Sequence, residues 1–302
     1  MSNQRRPPRQ ASALDAARAR NAAGQRGRQS RANRTIWVAA ALVTVVGIAA
    51  IAAVASGGTN KTSPPPPPST VTRVVGKATS VPPSVFGSVG IGSAGGLPQK
   101  IKAPPFTSGA KPKVLYIGAE YCPYCATERW PLVLALSRFG TFSHLGLTHS
   151  SSKDVYADTQ TFSFHSSTYR SQYLVFEAVE EKTNQLVGGD YGRLDTPTAE
   201  QQRIFRTYNA PPYVPANSAG SIPFIYLGGK FLSSGASYSP DVLQDKSAED
   251  IASSLSNAGS PIAQGVVGTA NTFVAALCTL TGNQPGDVCS GPEVTTILPS
   301  LG

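Results

Sequence analysis

Cys122 and Cys125, set in Tyr121-Cys122-Pro123-Tyr124-Cys125, are the two side chains of this 302-residue chain best suited to chemistry. An apolar run from Val114 to Ile117 leads to them across Gly118, and Leu132, Val133 and Leu136 follow at helical spacing. Two cysteines at i and i+3 in a first helical turn share a face, with Cβ atoms about 5–6 Å apart. A modest adjustment brings such a pair to disulfide geometry, so it can close and open. The unpaired N–H groups and the positive dipole end of the turn favour a thiolate, which lowers the thiol pKa and yields a nucleophile near neutral pH. The bland reading of the same pair is a static structural disulfide.

Other chemistries fit these residues less well. Structural zinc takes four ligands, whereas the chain has a single Cys-x-x-Cys, and Cys278 and Cys289 have ten turn-rich residues between them. Haem attachment needs a histidine directly after the second cysteine, where Ala126 stands. His144, His149 and His165 match no metal spacing and read as surface or core polar groups, so no metal and no organic cofactor are expected. Cys278 and Cys289 read as a structural disulfide worth about 3 kcal/mol by loop closure, with a second electron-shuttling pair as the functional alternative. Glu120 and Glu128 read as helix-start charges or as groups that tune a thiol. Arg129 reads as a solvated charge, or as a partner of Glu128 or of a thiolate. Tyr124, between the cysteines, is placed to contact whatever docks there.

The elements that must hold this motif follow from the patterning. Val114–Ile117 reads as a central strand, and Pro131 is expected to kink or restart the helix after Cys122, which Gly140 ends. Phe142–Leu147, Thr161–Phe164 and Tyr173–Val179 read as strands, with Tyr169 and Tyr191 as exposed aromatics nearby and Ser150–Asp158 as polar loop. Thr198-Ala-Glu-Gln201 and Ser247-Ala-Glu-Asp250 are capping patterns that open helices. Ser221–Leu232 is a hairpin turning at Gly228-Gly229, with Pro223 at the first residue of a strand, where proline does not break a sheet. Gly265–Thr281 is a further helix. This order implies an α/β class with a small mixed sheet.

The net charge of +9 is unevenly spread. Residues 1–112 hold 15 Lys and Arg against the single acid Asp15, a net +14, and residues 113–302 hold 11 against 16, a net −5. The basic character belongs to the front of the chain, which argues against nucleic-acid binding by the folded part. Residues 1–34, with nine arginines and little to bury, read as a disordered basic cytoplasmic tail suited to anionic lipid. Ile36–Ala55 is free of charge; at about 1.5 Å per residue it matches a bilayer's hydrocarbon thickness. We therefore read 35–56 as a transmembrane helix with the N-terminus cytoplasmic and the rest extracytoplasmic. A cleaved signal peptide, with Ala53-Val54-Ala55 as its cleavage site, is the rival, but the apolar run exceeds the usual length. Residues 57–112, with Pro64–Pro68 and several glycines, read as a linker with a stiff polyproline segment. Residues 113–292 form the expected domain and 293–302 a tail.

Cys122-Pro-Tyr-Cys125 after a strand, together with Ile222-Pro223 opening a hairpin, resembles the thioredoxin superfamily. Gly118-Ala-Glu-Tyr-Cys-Pro-Tyr-Cys-Ala-Thr-Glu-Arg-Trp130 more closely resembles a family of membrane-anchored prokaryotic proteins carrying a thioredoxin-like domain of unknown function. The resemblance implies that Cys122 is the exposed attacking thiol and Cys125 the buried resolving thiol. It implies that Pro223 is a cis-proline facing the pair, where Ile222 and Pro223 let a substrate strand dock. Ninety-seven residues separate Cys125 from Pro223, which implies a segment inserted between the motif helix and the hairpin. Tyr121 stands where thioredoxins have tryptophan, and Tyr116 where thioredoxin carries a buried acid, so proton handling is expected to differ.

The sequence thus leads to a membrane-anchored extracytoplasmic thiol–disulfide oxidoreductase. Its expected partners are exported protein thiols or disulfides and a membrane or extracytoplasmic redox partner. The alternative is a redox-inert interaction module of the same fold at the cell surface.

Overall fold

The computed structural model describes residues 66–301. The expected tail 1–34 and transmembrane helix 35–56 lie outside the described residues. α1 (Pro68–Thr79) and α2 (Pro83–Val89) each begin with proline, where a missing N–H costs nothing and the fixed φ suits a helix. They bury Val74, Ala78, Val85, Phe86 and Val89. The expected linker 57–112 is therefore folded structure from Pro68 onward, and the prolines at 68 and 83 are helix starts rather than spacer.

Two short strands, β1 (Gln99–Lys100) and β2 (Thr107–Ser108), precede β3 (Lys111–Gly118) and α3 (Pro123–Ser137). Seven strands follow: β4 (Gly140–Ser143), β5 (Gly146–His149), β6 (Gln160–Ser163), β7 (Thr168–Ser171), β8 (Val175–Glu180), β9 (Lys182–Val187) and β10 (Asp190–Arg193). The chain continues through α4 (Ala199–Tyr208), β11 (Phe224–Leu227), β12 (Phe231–Ser234), α5 (Ala248–Ser254), α6 (Pro261–Leu280), α7 (Gly286–Cys289) and α8 (Pro292–Ile297). This is a mixed α/β architecture. β3 is central, antiparallel to β11 on one side and parallel to β8 on the other, with β12 and then β1 beyond β11, and β2 pairing with the start of β3. The pairs β4–β7, β5–β6 and β9–β10 form separate two-stranded ribbons. They occupy the segment between motif helix and hairpin that the sequence marks as inserted.

Several local expectations meet a physical correction. The strand expected at Phe142–Leu147 is divided between β4 and β5 because His144 takes φ 58°. Tyr169 is half-buried, donating its hydroxyl to the Leu136 carbonyl at 2.8 Å, rather than exposed. The expected tail 293–302 contains α8 and a final 3-10 turn, with Val294, Ile297 and Leu301 buried. α3 runs unbroken through Pro131. A proline there leaves the Thr127 carbonyl without its helical N–H, and Tyr238 supplies the replacement by donating its hydroxyl to that carbonyl at 2.8 Å.

Among the described residues, α6 is the one helix long and apolar enough to cross a membrane by length and composition, and it lies in the C-terminal region. Of its most apolar window, 89% is buried inside the protein, as expected of a helix that is hydrophobic all round and central to a core. α6 packs against α3 and α2. At Gly268 a Cβ would overlap the Ile91 carbonyl, and Asn271 donates to the carbonyls of Phe86 and Gly90 at 2.9 and 2.6 Å. These contacts fasten the N-terminal helices to the core.

Cys278, in the last turn of α6, is bonded to Cys289 in α7. Replacing both with serine is expected to lower the unfolding free energy by about 3 kcal/mol, measured by denaturant titration, with the reactivity of Cys122 unchanged.

Candidate functional site

The sequence places both cysteines in the first turn of a helix, and the structure sets them there. Cys122 is the N-cap of α3, Pro123 is its first residue, and the Cys125 N–H donates to the Cys122 sulfur at 3.3 Å. The Cys122 sulfur lies 3.8 Å from the Ile222 carbonyl oxygen, and the Ile222–Pro223 bond is cis. Residues 100 positions apart thus meet because β3 and β11 are antiparallel neighbours, and their ends carry the two loops to one place. Both cysteines are free thiols. Cys125 is fully buried, and Cys122 is only 5% exposed rather than open to solvent.

The two sulfurs differ electrostatically. The Cys122 thiol is held below its ordinary range by the hydrogen bond from the Cys125 thiol, then by the backbone N–H of Cys125 and the charge of Arg129, which together outweigh burial. Burial pushes the Cys125 thiol well above its ordinary range, and the neighbouring Cys122 adds to that. One sulfur is prepared to be an anion and the other to keep its proton.

Arg129 is fully buried, not solvated. Its Nε donates to Glu180 Oε1 at 2.8 Å and its Nη2 to Glu180 Oε2 at 2.7 Å, a bidentate pair with both side chains inaccessible. Nη2 also donates to the Ala119 carbonyl at 2.8 Å, which accepts the Cys122 N–H at 3.3 Å. Glu180 arrives here because β8 pairs in parallel with β3, opposite Gly118. Tyr116 lies beneath, fully buried, with its ring 5.7 Å from the guanidinium carbon. At Gly118 a Cβ would overlap the Tyr116 hydroxyl. The sequence offers no signal for Arg129 and Glu180 as partners, since charged residues are surface residues by default.

Glu128 is likewise buried rather than a helix-start surface charge. It accepts the Ser237 N–H at 2.9 Å and the Ser237 hydroxyl at 2.6 Å. Glu120, half-buried, accepts from Ser163 at 2.6 Å. Aromatic rings frame the turn. Tyr121 stacks on Tyr191 at 4.2 Å, so Tyr191 is half-buried and not an exposed aromatic. Tyr124 meets Tyr156 edge-on at 6.2 Å. Tyr191 donates to Ser151, whose N–H donates to the Tyr121 carbonyl, tying the 150s loop to the turn. The histidines do not converge: His149 contacts Asp158 at 3.3 Å and His165 contacts Asp195 at 2.7 Å. Among the described residues no group of three or more His, Cys, Asp or Glu could hold a metal. Cys278 and Cys289 are bonded to each other, not gathered at this turn.

Residues 98–279, more than half of the chain, match the family described as Domain of unknown function (DUF929). The protein belongs to the DUF929 family. The DUF929 match covers both cysteines of the turn, Arg129, Glu180 and the Ile222–Pro223 peptide, and it begins after α1 and α2. No curated protein and no solved structure matches the chain.

Burial pushes Glu128 of this DUF929 protein from 4.5 up to about 7, against the two hydrogen bonds from Ser237. The folded state therefore keeps a proton that the unfolded chain has released, and stability falls as pH rises through that window. The wild type is expected to lose roughly 3 kcal/mol between those pH values. In Glu128→Gln the part of that slope due to Glu128 disappears, because glutamine is neutral throughout and the Ser237 hydroxyl can accept from its amide, while the raised carboxyls of Glu180 and Glu181 keep theirs. Denaturant titrations across pH check this.

Proposed function

We propose that this protein is a membrane-tethered, extracytoplasmic thiol–disulfide oxidoreductase with a thioredoxin-like fold. The observation that carries the reading is the asymmetric pair in the first turn of α3: free thiols, with Cys122 held low and Cys125 held high, beside the Ile222 carbonyl. A low thiol attacks and a buried, protonated one resolves. The mixed sheet with its parallel β3–β8 pair, the motif helix and the β11–β12 hairpin supports the thioredoxin-like comparison. The uncharged run 36–55 behind a basic tail supports the tether, with anionic lipid as the tail's partner. Substrates would be exported protein thiols or disulfides, docking against Ile222, Pro223 and Tyr124, and a second redox protein would return the pair to its working state.

A redox-inert interaction module is the second reading, favoured by the 5% exposure of Cys122 and the tyrosines around it. One experiment separates the two. With Cys125→Ser, Cys122 is expected to accumulate covalent mixed disulfides with exported proteins, resolved on non-reducing gels and released by dithiothreitol. If Cys122 traps nothing and resists a thiol probe after mild reduction, the oxidoreductase reading is wrong and the inert module stands.

A further inference from the structure

The buried groups behind Cys125 carry an inference that rests on the oxidoreductase reading and deepens it. Cys122, Cys125 and Arg129 follow i, i+3, i+7 spacing on α3, so the guanidinium continues the face that bears both sulfurs. Two of Arg129's nitrogens are taken, by Glu180 and by the Ala119 carbonyl. Its Nη1 and the Tyr116 hydroxyl are fully buried and make no hydrogen bond. Ala119 links the two layers, since its carbonyl receives both Arg129 Nη2 and the Cys122 N–H. Leaving one buried donor unpaired is costly, and two here, one on Arg129 a helical turn after Cys125 and one on the Tyr116 ring 5.7 Å from that guanidinium, demand a reason. Donors fixed in advance where charge will develop are such a reason.

We infer that Arg129 and Tyr116 are positioning residues for the resolving step, their spare N–H and O–H groups stabilising the thiolate that Cys125 becomes while it attacks. Burial keeps the Tyr116 hydroxyl protonated far above its ordinary range, so it remains a donor. Burial works against the charge on Arg129, but Glu180, with Tyr116 and Cys125, outweighs it and the guanidinium stays charged. The ionisable groups coupled to Cys125 are Cys122, Arg129 and Tyr116; Glu120 acts on the cluster through Glu180.

The chemistry balances without another reagent. The Cys122 thiolate attacks a substrate disulfide R–S–S–R′, forming Cys122–S–S–R and releasing R′–S⁻, which takes a proton from water. Cys125 then gives up its proton to water, from which the departing R–S⁻ takes one up, and the Cys125 sulfur bonds to that of Cys122. The bond from Cys122 to R breaks, and R–S⁻ leaves and takes up a proton. The two cysteines are oxidised to a disulfide and the substrate is reduced to two thiols. The reverse sequence oxidises a dithiol.

The test uses the full chain, reduced, with dithiobis-nitrobenzoate as the disulfide. The first coloured thiol released reports attack by Cys122, and the second reports resolution by Cys125. Tyr116→Phe removes only an unpaired hydroxyl, so its thermal stability and first phase are expected to match the wild type. Its second phase is expected to slow roughly tenfold, with the pH profile of that phase moved upward. Arg129→Met with Glu180→Met removes both charges together, so neither is left buried alone, and is expected to slow the second phase as well. A second phase in Tyr116→Phe with wild-type rate and pH profile overturns the inference while leaving the oxidoreductase reading intact. A wild-type protein with no first phase overturns both.

Discussion

A guanidinium without solvent contact persists only with a carboxylate to hold it, and the Arg129–Glu180 pair is the constraint on which this molecule's organisation turns. The pair joins the end of β8 to the turn at Ala119 and the middle of α3, with Arg129 and Glu180 51 positions apart. Replacing either partner alone would strand a buried charge, so the register of β8 against β3 and the placement of α3 are mutually enforced. The cysteine turn inherits that rigidity, because the Ala119 carbonyl that anchors Arg129 also receives the Cys122 N–H. Thiol chemistry depends on charge held at fixed distance, and this pair supplies it.

The rest of the fold keeps that helix in place. Tyr238 replaces the hydrogen bond that Pro131 removes, so α3 stays continuous between its reactive end and its buried middle. Glu128, on the same helix, fastens the loop after β12 through Ser237. α6 packs against α3, α2 lies on α6, and α1 lies on α3 and α5. The tyrosine stack at 121 and 191 and the 150s loop shape the approach to Cys122 from outside.

What could be read from the sequence was local. Cys122 and Cys125 announce a helix start by spacing, both capping boxes formed as their patterns require, and the hairpin turns at Gly228 and Gly229. The interactions that were illegible join residues far apart. Arg129 and Glu180 are 51 positions apart, Glu128 and Ser237 are 109 apart, and Pro131 is rescued from position 238. Nothing in a charge or a proline states whether a distant partner will meet it. The segment from Pro68 read as spacer because proline and glycine usually interrupt structure; here prolines begin helices, and Gly268 admits the folded segment against α6.

The central claim is that the first turn of α3 holds one sulfur as a ready anion with a protonated one behind it. The pH dependence of iodoacetamide alkylation at Cys122 in the reduced protein tests it most directly. The account predicts a rate that rises with a midpoint below that of a free cysteine thiol, while Cys125 stays unmodified in the folded protein. A midpoint at or above the free-thiol value, or alkylation of Cys125 in preference to Cys122, would contradict it.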